Sequence, residues 1–486
     1  MSIRFPCALG RLSAMIAAVA VMTAPALAQW SSDPAQNLVL ADRSGEQVQP
    51  KLVATSDGGF YISWFDNAAG GYDVYLQRLD AAGVEQWPHN GVLVADRDYS
   101  STQDYGLGVD SDGNALLAFR FPDDDGISQV VAAKVSPEGA LMWDAPGIFV
   151  SSGPEEAFSP RIVGTTSGNS VAAWSSGDGS LRAQRIDIDG APQWDDGVTL
   201  SPAAGLFLLA HLGAAEDGNV ILSWQAQASF QNRQYWAQKL AGADGASLWT
   251  PDHVKIMDNA AGVMQLGNFP TFVEDGSGGA VFGWYHISGL AGVVRVQHVL
   301  ANGDLKFAQN GVTVSTDTSR PRYAPSAAYD AVNDDIYIAW RETNVDQNQI
   351  GVYAQRIDSS GGRGFGDTGR EILPLSGVDK NQLTALPMPG GVMVAWVEGT
   401  SPSPMPIRAT RLDAAGDAAW PDPVVSIKTS ATAGARLAGD LSTQGIAALV
   451  WQDGEAGDSD IKAQNIDEDG QLGVDDETIF ADGFEN

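Results

Sequence analysis

Residues 50–95 read PKLVATSDGGFYISWFDNAAGGYDVYLQRLDAAGVEQWPHNGVLVA. Apolar and polar residues alternate at a period of two, and clusters of Gly, Asp and Asn interrupt the alternation. That pattern predicts four short strands joined by turns. The first covers Lys51–Thr55 and stops at Ser56-Asp57-Gly58-Gly59; the second, Phe60–Phe65, stops at Asp66-Asn67. The third, Tyr72–Asp80, closes at Ala81-Ala82-Gly83, and a link through Trp87 and Gly91 leads to the fourth, Val92–Ala95.

The unit recurs along the chain. An aromatic residue marks the second strand at Trp64, Phe119, Trp174, Trp224, Trp284, Trp340, Trp396 and Trp451, with gaps of 55, 55, 50, 60, 56, 56 and 55 residues. The third strand and its turn return as QRLDAAG (77–83), AKVSPEG (133–139), QRIDIDG (184–190) and QKLAGADG (238–245). They return again as QHVLANG (297–303), QRIDSSG (355–361), TRLDAAG (410–416) and QNIDEDG (464–470). Of the 14 Trp, seven hold the second-strand position. Five more, Trp87, Trp143, Trp194, Trp249 and Trp420, follow the turn glycine by four residues, with Phe307 in that slot of the fifth copy. Only Trp30 and Trp236 remain, and Trp236 falls where other copies place Tyr75 and Tyr353.

The eighth copy stops at Gly470 without the Trp and fourth strand that should follow. Residues 29–41 supply them: Gln29-Trp30, then Asn37–Ala41 (NLVLA), which matches NGVLVA at 90–95. Both ends of the chain therefore complete one unit. Eight four-stranded units of this length imply an all-β, eight-bladed β-propeller. The split last unit argues for a closed ring over an open solenoid, since closure removes exposed sheet edges. Seven blades follow instead if the copy marked by Phe119 is degenerate.

Residues 1–28 read as a secretory signal: Arg4 and Arg11, an uncharged run from Ala14 to Met22, then Ala26-Leu27-Ala28 before the cut. The run is too short to span a bilayer, which takes about 20 residues, and no later stretch reaches that length. The expected mature chain is exported to the periplasm, cell surface or medium, with the propeller at 29–473 and an acidic tail at 474–486. Cys7 is the only cysteine and leaves with the signal, so cysteine-ligated metals and thiol nucleophiles are excluded. The full chain carries 28 Lys+Arg against 60 Asp+Glu; without Arg4 and Arg11 that becomes 26 against 60, a formal charge of −34. Such a field repels nucleic acid and anionic lipid, whose binding depends on basic patches. A monomer with no membrane span is expected.

The stretches RLDAAGVEQW (78–87) and RIDIDGAPQW (185–194) resemble the tryptophan-docking motif of eight-bladed quinoprotein-type propellers, with the Asp-to-Gly spacing one residue shorter. That resemblance implies that each Trp packs between adjacent blades. The whole AQRLDxxG…W pattern looks more like repeats in secreted bacterial propeller proteins, and it implies architecture rather than activity. Quinoproteins hold their cofactor with a cysteine pair and a calcium site, and the mature chain has no cysteine. TSDGGFYISW (55–64) is only loosely similar to the Asp-box turn of sialidase-type propellers, because its Gly follows the Asp directly.

No residue qualifies from sequence as catalytic, cofactor-binding or metal-binding. The recurring Gln77, Gln184, Gln238, Gln297, Gln355 and Gln464 suit structural amides bonding to neighbouring backbone. The Asp-Gly turns suit left-handed hairpin geometry. Only Asn465–Gly470 with Asp476 fits a calcium-loop pattern, and Asn465–Gly470 is also the ordinary repeat turn, so Ca²⁺ is at most an accessory and no cofactor is expected. The histidines His89, His211, His253, His286 and His298 lack metal-ligand spacing. Function is expected on blade loops, first at Gln225–Gln234 and Glu342–Gln349, whose Gln and Asn suit sugar or peptide contacts. The expected role is a binding or scaffolding module for a protein or glycan. A carbohydrate-active enzyme and a purely structural envelope protein stand as alternatives.

Overall fold

The computed structural model describes residues 29–97, 102, 105–250, 253–265, 270–289 and 291–473, together with Met1. The expected signal core, the acidic tail and Asp476 lie outside the described residues.

Eight antiparallel sheets are arranged as an eight-bladed β-propeller. Blade 1 is Gln47–Ala54, Phe60–Asp66, Asp73–Leu79 and Val92–Ala95, in that spatial order. The copy marked by Phe119 is a full blade, Gly106–Val109, Ala115–Pro122, Ser128–Val135 and Ile148–Phe149, so the count is eight. Blade 5 departs from the others: Val263–Met264 and Thr271–Glu274 both pair with Ala280–Ser288. The first strand of each blade packs on that of the next, and the eighth returns to the first, which closes the ring.

Closure comes from the N-terminal segment. Leu38–Ala41 adds to Asp458–Ile466 as the fourth strand of blade 8, pairing Leu38 with Ala463 and Val39 with Lys462. Trp30 is buried beside it, and its indole N–H donates to the Ala81 carbonyl of blade 1 at 3.0 Å. The same link joins the other blades. Trp87 donates to the Pro137 carbonyl at 3.1 Å, Trp143 to Ile188 at 3.2 Å and Trp420 to Glu468 at 2.9 Å. Each indole lies under the turn glycine of the next blade; a Cβ on Gly83 would meet Trp30 at 2.6 Å. Phe365, which follows Gly361 by four residues, takes the slot in blade 6 and packs under Gly416. The repeating glutamines tie each third strand to its own link: Gln238 donates to the Trp249 carbonyl at 3.1 Å and accepts from the Trp249 N–H at 3.0 Å. These positions are structural.

Strand alternation sorts the connections between two faces. The hairpins joining strands two and three share one face with the segments that lead to the next blade, and the Asp-Gly turns occupy the other. Near the first face, five innermost strands bulge at one non-glycine residue in left-handed backbone: Gln49, Ser159, Ala324, Gln382 and Arg436, at φ between 47° and 58°.

The two expected loops are shorter than the sequence reading made them. Val220–Ser229 and Asn232–Leu240 run through residues 225–234 and pair Gln227 with Arg233 and Ser229 with Asn232. Only Phe230 and Gln231 are left as turn, because antiparallel pairing satisfies the backbone polar groups that a loop would leave to water. Likewise Glu342 and Thr343 finish the strand Asp335–Thr343, and the loop begins at Asn344.

Candidate functional site

Blade 4 carries a groove of about 540 Å³ on the hairpin face, beside the segment that links it to blade 3. Its floor is the third strand, Asn232–Leu240, where Asn232, Gln234 and Trp236 point the same way because alternate residues share a face. One wall is Phe207 from the first strand with Ser201–Ala204 from the segment that precedes it. The other holds Ala226 and Gln227 from the second strand and His253, immediately before the fourth strand Val254–Met257.

The polar groups of the floor form a relay. The Trp236 indole N–H donates to Gln234 Oε1 at 3.1 Å, and Gln234 Nε2 donates to Asn232 Oδ1 at 3.3 Å. Asn259 Nδ2 donates to the same Asn232 oxygen at 2.6 Å. Trp236 is half-buried; the Lys255 ammonium lies 4.7 Å from its ring centroid, and the His253 ring stands edge-on to it at 6.4 Å. His253 Nδ1 faces Gln238 Nε2 at 3.1 Å, which fixes the ring. Behind the groove Trp224 is fully buried, with Phe207 at 5.3 Å and His253 at 5.1 Å. An aromatic surface beside linked amides can take the apolar face of a ligand while its hydroxyls exchange hydrogen bonds with the amides.

The same position differs in each blade. In blade 3 a smaller groove, about 230 Å³, has Arg182 where blade 4 has Trp236, and Arg182 is paired with Asp178 at 2.7 Å. In blades 6 to 8 the second-strand indole donates to a carboxylate two residues on. Trp340 reaches Glu342 at 3.3 Å, Trp396 reaches Glu398 at 3.1 Å and Trp451 reaches Asp453 at 3.4 Å. Basic side chains close on those carboxylates: Arg322 at 2.9 Å, Arg408 at 3.0 Å and Lys462 at 2.6 Å. In blade 4 the residue two positions after the Trp is Ala226.

Of the two segments expected to carry function, 225–234 lines the groove. Glu342 is spent on Trp340 and the arginines, and Asn344 accepts from the backbone N–H groups of Asn348 and Gln349 within its own turn. The sequence reading passed over Trp236 and His253. The signals were present: Trp236 occupies neither tryptophan slot of the repeat, and His253 stands where Gly91, Gly147, Gly197, Gly311 and Gly369 precede their fourth strands. In the candidate calcium turn, Asp467 accepts from the N–H groups of Asp469 and Gln471. Among the described residues no three His, Cys, Asp or Glu gather as a metal cluster.

Burial pushes up several carboxyls, Glu274 and Asp440 among them. They sit on the first strands of blades 5 and 8, and each accepts a backbone N–H from an adjacent blade, Ala214 and Ala54 respectively.

No family model matches the sequence, and none of the curated proteins matches it. Among solved structures, a polysaccharide lyase is similar at a TM-score of 0.47 and 9% identity over 94% of each chain. A ulvan lyase from a new polysaccharide lyase family has a TM-score of 0.44 at 10% identity, covering 91% of this chain and 98% of that one. A protein of unknown function from Dyadobacter fermentans has a TM-score of 0.39 at 11% identity, covering 90% of this chain and 99% of that one.

Proposed function

We propose that the mature protein is an exported glycan-binding module that holds a sugar in the groove of blade 4. The observation that carries this reading is Trp236, a partly exposed indole outside the structural repeat, set beside the Gln234–Asn232 amide relay. A pyranose offers an apolar face of C–H groups and a rim of hydroxyls, and the groove offers the complement to both. The rigid ring fixes the site in advance, so little ordering cost falls on binding.

A carbohydrate-active enzyme is the second reading, and the raised Glu274 and Asp440 carboxyls stand on its side, since a general acid must hold its proton near neutral pH. Their separate blades and their bonds to neighbouring backbone fit inter-blade staples better than a catalytic pair.

The test is a glycan and polysaccharide screen on residues 29–486, with and without Ca²⁺, with the products analysed for cleavage. Binding that Trp236→Ala abolishes is the expected result. Binding that survives Trp236→Ala sinks the groove reading, chain cleavage sinks the pure binding reading, and a blank screen sinks both.

A further inference from the structure

Among the described residues no carboxylate lines the groove in blade 4, in a chain where Asp and Glu outnumber Lys and Arg by 60 to 28. Its counterparts have them: Glu155 and Asp196 line the groove of blade 3, and Asp123 and Asp124 line one on blade 2. The departure is local and repeats a second time at Ala226. In blades 6 to 8 that position supplies the carboxylate that accepts the indole N–H. In blade 4 the N–H of Trp224 is buried and has no acceptor among the described residues. Trp64 and Trp284 share this deficit among the described residues, but they carry Asp66 and His286 at the position where blade 4 has Ala226, which lines the groove. Lys255, 4.7 Å from the Trp236 ring, has no carboxylate partner among the described residues.

We infer that the sugar is acidic: a uronic acid unit whose carboxylate lies between Ala226 and Lys255 while its ring rests on Trp236. This rests on the glycan-binding reading and narrows it. The ligand brings the negative charge that the neighbouring blades carry in their own side chains. A planar carboxylate suits the position because Glu342, Glu398 and Asp453 already occupy its equivalents.

Calorimetric titration with oligomers of galacturonate, glucuronate and mannuronate, each against its methyl ester and a neutral counterpart, tests this on the mature protein. At least one uronate should bind tenfold or more tightly than its ester, which keeps the shape and loses the charge. Ala226→Glu should remove that preference while the thermal midpoint holds or rises, because Trp224 gains the acceptor that Trp340 and Trp396 have. Lys255→Gln should weaken the uronate severalfold more than it weakens the methyl ester. Equal affinity for acid and ester overturns the inference and leaves glycan binding standing. Binding of none of these, in a protein that binds no other glycan, overturns both.

Discussion

Blades 4 and 8 come from one repeat and end as opposites. In blade 8, Trp451 gives its indole N–H to Asp453, and Lys428 and Lys462 close on the same carboxylate at 3.0 and 2.6 Å. In blade 4, Ala226 replaces the acid, Trp236 replaces the lysine, and a groove remains. Both blades keep the docking tryptophan on the opposite face, Trp249 and, for blade 8, Trp30. The ring is therefore held together at one face, and the other is free to diverge by two or three side chains without loss of the fold.

The sharpest way to break this comparison is Asp453→Ala. Lys428 has no exposed surface, and removing its counter-charge strands a buried ammonium, which costs about 3–5 kcal/mol. Denaturant unfolding should show that loss, and Asp453→Asn should recover part of it. Burial opposes ionisation of Asp453, but the Lys462 bond and the Lys428 charge outweigh it and hold the carboxyl below its ordinary value. Burial also pulls Lys428 below its ordinary value, as expected of a pair that is costly to bury and costlier to break. A lowered carboxyl stabilises fully above the unfolded-state value and loses that contribution as pH falls through the folded one. Acid sensitivity should thus diminish in Asp453→Ala. A loss under about 1 kcal/mol would mean that the slot is not a structural element of blade 8.

Blade 5 is the intermediate case, with His286 in the carboxylate position, fully buried. Burial, helped by the charge of Arg295, holds its pKa near 4 against an ordinary 6.5. The unfolded chain then takes up the proton first, so stability falls as pH drops below 6.5 and levels off below about 4, a total of about 3 kcal/mol. His286→Gln should flatten that slope between pH 6.5 and 4. An unchanged slope would assign the acid sensitivity of this window to other groups.

The scaffold was readable because its physics repeats. Eight aromatic second strands, the turn glycines and the split last unit each leave a periodic mark, and Trp30 betrayed the closure through its place ahead of NLVLA. The groove was not readable in the same way, since it consists of departures from the period. Trp236 looked like a tyrosine substitute, and His253 like a scattered histidine. The Trp-to-carboxylate link of blades 6 to 8 lay in plain sight as Trp340-Arg341-Glu342, Trp396-Val397-Glu398 and Trp451-Gln452-Asp453. Nothing in sequence says that the indole turns toward the acid until the pairing of second and third strands is known. The inner-strand bulges have a similar history: Gln49-Pro50, Ser159-Pro160 and Ala324-Pro325 repeat, but left-handed backbone at the residue before proline runs against its usual preference.

The smallest effect on stability belongs to Trp236→Ala, and its contrast with Trp224→Ala sharpens the comparison most. Trp224 is fully buried in the core shared by blades 3 and 4, so its truncation should cost about 3–5 kcal/mol. Trp236 borders the same core but is only partly buried, and its loss should cost about 1 kcal/mol. Two tryptophans paired across neighbouring strands, Trp224 with Trp236, would then separate cleanly, one carrying stability and the other binding. A Trp236→Ala protein that unfolds as readily as Trp224→Ala would place both in the core and return the groove to packing. A protein of nearly native stability that has lost its sugar would show that the repeat released one aromatic side chain from its structural duty. The wall around that side chain, without a carboxylate among the described residues, is where selection for a ligand would leave its trace.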